Sequence, residues 1–367
     1  MYNDNIRYFF DDKTKGFVEV LKLKKVKERG IKMKKKGLLC LLIAGAMALS
    51  ACGSNNASNS DNAGGSDFND EVVMKIDGRE IMKSEYMVYL YTTSKSFTAV
   101  GGDDIWTMDF DGQTADELVE ERTLKTLQSV IAAKKYAEEN NITLTDDQKQ
   151  EVASASEQFV TNVPQEDIKK MGIDAESLAP FMESSYIYSL VYQALVAECE
   201  VDEAEKARYY EENKEQMKEE LITVELDSIV LDDAQKANEV AEKAKSGTDF
   251  ISLFQEYDID ENARLKEDGG KMTVYKTQLL SSFGLTEVPE IGVVTGPIDV
   301  DGTYFILRVT SITTPQESEV KEKAETTFVN QKQTDYSDAR FEEMMAAQKV
   351  EYIDEVYKNL EKFHSVV

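Results

Sequence analysis

The hydrophobic period of this chain changes twice, and nothing else constrains its fold as strongly. From Ser84 to about Glu219 apolar residues recur at helical spacing. Near Leu221 the period becomes two, and Ile222 to Leu231 (ITVELDSIVL) alternates like a strand. After Pro315 helical patterning returns over Val320 to Lys349. A period of 3.6 buries one stripe of a helix and a period of two buries one face of a sheet, so one uniform architecture cannot serve both. The expected class is therefore α+β, with a small sheet domain inserted between helical segments that pack together.

Local signals place the elements. Alternation around Asp77-Gly78 over Val72 to Ile81 reads as a tight hairpin. Ser84 is expected to cap a helix with Tyr86, Tyr89, Leu90, Thr93 and Phe97 on one face. Of these, Tyr86, Tyr89 and Phe97 are candidates for lining a client groove. Thr114 with Glu117, and Thr145 with Gln148, form capping boxes for the next two helices. A further helix spans about Ser177 to Glu200, and a charged one Asp202 to Glu219. Past the first strand, Asp232 or Asp233 caps a helix ended by Gly247. A Gly269-Gly270 turn precedes a short strand to Tyr275. Gly296 to Val300 and Thr303 to Ile312 flank the hairpin signal Asp301-Gly302, and Val350 to Tyr357 reads as a last strand.

The stretch Met33 to Cys52, MKKKGLLCLLIAGAMALSAC, has three lysines, a short apolar run, then small residues. The run is too short to cross a bilayer core, which takes about 20 helical residues, and the order of its parts is that of an export signal. Leu49-Ser50-Ala51-Cys52 resembles the lipobox of bacterial lipoproteins, which implies lipidation at Cys52. Synthesis is then expected to start at Met33, with residues 1–32 a mis-assigned start. The signal occupies 33–51, and the Ser/Asn/Gly-rich segment 52–67 is a linker that cannot pack. A helical domain over 68–220, the α+β insert over 221–312 and a C-terminal helix and strand over 313–367 complete the expected organisation.

From Cys52 onward 30 Lys and Arg face 65 Asp and Glu, a formal charge of −35. Such a surface repels nucleic acid and favours cationic or neutral partners. Cys40 falls in the signal and Cys52 in the lipobox, so Cys199 is left as the one ordinary thiol, and no intrachain disulfide is expected. The single histidine, His364, excludes Ser-His-Asp and Cys-His chemistry and leaves no histidine-based metal site. No cofactor and no metal are expected.

Val201-Asp-Glu-Ala-Glu-Lys-Ala-Arg-Tyr-Tyr-Glu-Glu-Asn-Lys214, Gly247-Thr-Asp-Phe-Ile-Ser-Leu-Phe254, Gly269-Gly270, Gly296-Pro297 and Phe305-Ile-Leu-Arg-Val309 follow one another in an order and spacing similar to the extracytoplasmic foldases of the PrsA and SurA type. The resemblance covers nearly all of residues 70 to 360. It implies a helical chaperone domain joined to a parvulin-type peptidyl-prolyl isomerase domain of β-α-β-α-β-β order. It also implies a polar cluster of two histidines and a Cys or Asp above an apolar proline pocket. Here Ser228 takes the first histidine position and Phe305 the second, or Tyr304 under a one-residue shift; Asp260 matches the acidic position. Met272, Leu280 and Phe283 match the substrate-binding pocket.

The function so implied is a membrane-anchored extracytoplasmic foldase or chaperone with weak or absent isomerase activity. Its partners are unfolded or partly folded exported proteins and, through the lipid anchor, a membrane; nucleic acid is not one, and a homodimer is left open. Two alternatives stand beside it. One is an active isomerase with a histidine-free site built from Asp260, Ser228 and a tyrosine hydroxyl. The other is a solute-binding lipoprotein, which would need repeated β-α units that residues 80 to 220 do not show.

Overall fold

A computed structural model describes residues 68–260, 264 and 270–364. Residues 1–32, the export signal and Cys52 lie outside them.

The described chain opens with the hairpin β1 (Val72–Ile76) and β2 (Arg79–Met82), antiparallel around Asp77 and Gly78 at φ 51° and 79°. Two successive positive φ values are what a two-residue hairpin turn of matching twist requires. Helix α1 (Lys83–Gly101) follows directly, but Ser84 is not its cap. Met82 holds that position, and Ser84 sits inside the first turn. Its N–H and Oγ both donate to the Asp70 carboxylate, at 2.8 and 2.9 Å. A carboxylate from upstream thus satisfies a first-turn donor and suits the positive end of the helix.

Helix α1 is buried almost all round, not along one stripe. Tyr86, Tyr89 and Phe97 are 0%, 6% and 4% exposed, so they are core residues and not the lining of an open groove. A short 3₁₀ turn (Asp103–Thr107) and the two-residue strands β3 (Asp109–Phe110) and β4 (Gln113–Thr114) lead into α2 (Ala115–Glu139). Helices α3 (Asp146–Asn162), α4 (Gln165–Met171) and α5 (Ala175–Glu198) come next. Both expected capping boxes form, at Thr114 and Thr145, and Asp174 with Ser177 makes a third. Cys199 is the C-cap of α5 and half-buried, not a core residue.

Asp202 caps α6 (Glu203–Leu221), which leads into β5 (Thr223–Leu231). Asp233 caps α7 (Ala234–Lys245) and Asp249 caps α8 (Phe250–Tyr257). Strand β6 (Lys271–Tyr275), α9 (Lys276–Phe283), β7 (Val294–Val300) and β8 (Thr303–Thr313) complete the inserted domain. Its order is the expected β-α-β-α-β-β with one helix more, α8, where the sequence pattern reads as turns. Helix α10 (Glu317–Met345), β9 (Val350–Tyr352) and α11 (Asp354–Tyr357) follow, so the last strand is shorter than its sequence pattern and gives way to a helical turn.

The described residues form two compact units, 201–331 and 68–200 with 332–364. In the first, a four-stranded antiparallel sheet has the order β6-β5-β8-β7. Met217 of α6 packs with Val320 and Ala324 of α10, and the Tyr209 and Phe328 rings lie 5.3 Å apart. These contacts make the compact unit wider than the α+β segment 221–312. In the second unit β9 returns to β1, pairing Met74 with Tyr352 and Ile76 with Val350 in the order β2-β1-β9. The same unit buries Phe341 and Met345 of α10 against Ala132 and Ala133 of α2 and Val191 and Leu195 of α5. Every strand pair among the described residues is antiparallel.

Candidate functional site

Alternation along β5 decides what each face of the inserted sheet carries. Ile229 and Leu231 point with Tyr304 and Ile306 of β8 into the cluster under α7 and α8. Val224 and Leu226 point to the opposite face, with Leu307 and Val309 of β8, Leu279 of α9 and the partly buried Met272, Phe283, Ile298 and Phe305. Ser228 follows Leu226 by two residues and lies opposite Leu307, so it belongs to this second face, 7% exposed.

Ser228, Phe305, Met272 and Phe283 therefore share one face. Phe305 meets Phe283 edge to face, ring centroids 5.1 Å apart, a favoured aromatic geometry. Tyr304 does not join them: its ring packs on the other side of the sheet, so of the two alternatives only Phe305 lies on this face. Leu280 is half-buried and outside the cluster, and its neighbour Leu279, 1% exposed, occupies the core position. Successive helical residues point about 100° apart, and the packing of α9 on the sheet selects the earlier one.

Asp260 is exposed, and its N–H donates to Asp258 Oδ1 at 2.9 Å. The buried acid of this region is Asp258, 4% exposed, which the sequence pattern did not single out. Its other oxygen accepts from Val230 N at 2.8 Å, and Ile259 N donates to Val230 O, so residues 258–260 are tied to the end of β5. Burial pushes the Asp258 carboxyl above the usual range despite those two hydrogen bonds. The signal available in the sequence was its place directly after an amphipathic helix, where a chain turning back to the sheet needs an acceptor.

Two glycines hold the backbone around the face. Gly270, at φ 70°, accepts a hydrogen bond from Ser228 N (3.2 Å), and a Cβ there would lie 2.3 Å from Ser228 O. Gly296, at φ 120°, lies against β8, where a Cβ would sit 2.5 Å from Phe305 O. Both positions require the absence of a side chain. The sites flank the two positions where the resemblance implies histidines.

No family model matches the chain. Curated relatives do. The foldase protein PrsA of Caldanaerobacter subterraneus subsp. tengcongensis is 23% identical over 296 residues, 78% of this chain and 89% of the relative. That of Halalkalibacterium halodurans is 25% identical over 338 residues, 89% of this chain and 88% of the relative. The chain is a relative of the PrsA-type foldases. Among solved structures, foldase protein PrsA from Streptococcus pneumoniae aligns with 65% of this chain and 92% of its own, at 18% identity and a TM-score of 0.38. A SurA-like chaperone of Campylobacter jejuni aligns with 77% of this chain and 99% of its own, at 10% identity and a TM-score of 0.30.

The candidate face offers hydrocarbon, two phenyl rings and one serine hydroxyl. Such a surface gains free energy by burying apolar groups, roughly 25 cal/mol per Å². It carries no imidazole to polarise an amide.

Proposed function

We propose that the chain is a lipid-anchored extracytoplasmic foldase that holds unfolded exported proteins and has little or no prolyl isomerase activity. The observation that carries this reading is the pairing of Ser228 with an apolar neighbourhood of Leu226, Leu307, Met272, Phe283 and Phe305 on one sheet face. Rotation about a prolyl bond costs about 20 kcal/mol because amide resonance is lost, and a catalyst must favour the twisted bond. A hydrocarbon face can seat a proline ring but has little with which to stabilise the altered charge of the twisted amide. The curated relatives are named foldases, which supports holding or folding of protein clients as the retained activity. The formal charge of −35 from Cys52 onward keeps such a protein soluble and disfavours anionic partners.

The insert can be removed to test where holding resides. Thr223 and Thr313 are directly paired across β5 and β8, so the chain enters and leaves the sheet at neighbouring points. Deleting 221–312 and sealing the gap with a short linker is expected to leave measurable suppression of client aggregation by light scattering. Complete loss in a deletion variant that retains its helical circular dichroism would move client binding to the sheet domain.

Anchoring is expected to depend on the Cys52 sulfur. A single acyl chain holds a protein to a membrane only marginally, and two are needed for stable retention. Cys52→Ala should appear in the soluble fraction or remain unprocessed. A variant matured and retained like wild type would refute the lipid anchor.

A further inference from the structure

The unit that contains α1 and α2 also holds a cavity of about 230 Å³. Its floor is Leu90, Ser94 and Val119, all under 9% exposed, and its outer edge is made by the exposed residues Lys358, Glu361 and Lys362 of the C-terminal segment. The volume falls below the roughly 300–1,000 Å³ of small-molecule pockets, so its scale is that of one side chain.

The polar groups are arranged with one direction. Tyr86 OH donates to Tyr357 OH at 3.4 Å, and Tyr357 OH donates to Glu120 Oε2 at 3.0 Å. Burial pushes the Tyr357 phenol up to about 12 and the Tyr86 phenol higher still, so both remain donors at any physiological pH. The chain of hydrogen bonds ends on Glu120, which has an oxygen left to accept another donor. The other charges of the lining are already matched. Lys358 pairs with Asp354 at 2.7 Å, while Lys362 and His364 Nε2 both reach the Asp116 carboxylate. His364 also stacks on Trp106, ring centroids 3.9 Å apart. Among the described residues neither Glu120 nor Glu361 has an ion-pair partner. The cavity thus presents a largely apolar floor, the half-buried Tyr357 ring and two carboxylates without a cation.

We propose that this cavity receives the side chain of a lysine or arginine from an extended segment of an unfolded client. The methylene stem would lie over the apolar floor and the half-buried Tyr357 ring, with the charged head at Glu120 and Glu361. The inference rests on the client-holding reading above and names the residue class that the helical unit prefers. The charge of −35 from Cys52 onward favours approach of basic segments, and in this cavity a single cation gains a partner.

The test uses the full chain and a set of unstructured peptides, identical except for one central residue that is lysine, arginine, norleucine or glutamate. Fluorescence anisotropy is expected to show the lysine and arginine peptides bound about tenfold more tightly than the norleucine peptide, the scale of one hydrogen bond to a charged group. Glu120→Gln should abolish the difference, and Glu183→Gln on the exposed side of α5 should keep it. Equal binding of lysine and norleucine peptides, or a preference that survives Glu120→Gln, overturns the assignment and leaves client holding intact. Failure of every peptide to bind removes both. Should Glu120→Gln not fold, carbodiimide coupling on the wild-type chain decides. Amide bonds from the peptide lysine mapped to Glu120 or Glu361 support the site, and bonds scattered over other carboxylates refute it.

Discussion

Replacing Arg308 by Met is expected to destabilise the sheet of the 201–331 unit by about 3–5 kcal/mol, the usual cost of stranding a buried charge. Arg308 on β8 lies opposite Asp227 on β5, and its Nε and Nη2 both donate to Asp227 Oδ2, at 3.0 and 2.5 Å. Asp227 is 2% exposed, and its Oδ1 has no hydrogen-bond partner among the described residues. The guanidinium also lies 4.7 Å from the Phe250 ring centre, so the substitution removes a cation–π contact as well. With Arg308 gone the carboxylate keeps its burial and loses its counter-charge. The double variant Asp227→Leu/Arg308→Met removes both charges and is expected to recover most of the loss, because a hydrocarbon pair can replace a buried ion pair without penalty. Hydrogen exchange of the β5 and β8 amides is the right measurement, since the single tryptophan, Trp106, lies in the other unit. Unchanged protection in Arg308→Met would show that the pair does not hold the sheet.

Prolyl isomerase activity of the wild-type chain is expected to lie near the uncatalysed rate. Losing one preorganised polar group from a catalytic site typically costs about 100- to 1000-fold, and Ser228 and Phe305 stand where the resemblance implies histidines. Ser228→His/Phe305→His is expected to restore part of the rate, because those two positions face the same apolar cluster as Met272 and Phe283. Tyr304→His in place of the Phe305 change is expected to restore nothing, since Tyr304 packs under α7 and α8 on the other face. A prolyl-peptide assay on folded protein separates these outcomes. Substantial wild-type turnover that disappears on Asp260→Ala would establish a histidine-free catalytic site and end the inactive-domain reading.

Much of the secondary structure is legible in the residues themselves, for reasons that can be named. Asp77-Gly78 and Asp301-Gly302 specify their hairpins because only a few residue types tolerate two positive φ values in a row. Thr114 and Thr145 specify helix starts because a hydroxyl and an acidic or amide side chain three residues later satisfy each other's backbone donors. Ser84 misleads for the complementary reason. A serine beside a helix start is a cap only when no better acceptor is near, and Asp70, 14 residues upstream, is one.

The candidate site is legible only to the level of residue type. Alternation places Ser228 and Phe305 in strands, but two strands fix a shared face only once their register is known, and the bulge between Glu225 and Leu226 in the β5–β8 ladder shifts that register. Asp260 is the acid at the expected sequence position, while the fold buries Asp258 two residues earlier. Leu280 and Leu279 differ only by the rotation of a helix whose packing no local pattern records.

Local pattern and composition were enough for the alternation of helical and strand segments, the turns and the presence of a single histidine, His364. Each of these depends on neighbours in the chain or on a simple count of residues. Long-range packing had to settle that α1 is buried all round, that β9 returns across the chain to β1, and that Tyr304 and Phe305 point to opposite sides of the sheet. It also brought Tyr86, Glu120 and Tyr357 to one cavity. Burial, register and the meeting of distant carboxylates and phenols are set by how elements pack, and packing energy belongs to residue pairs that no local window contains.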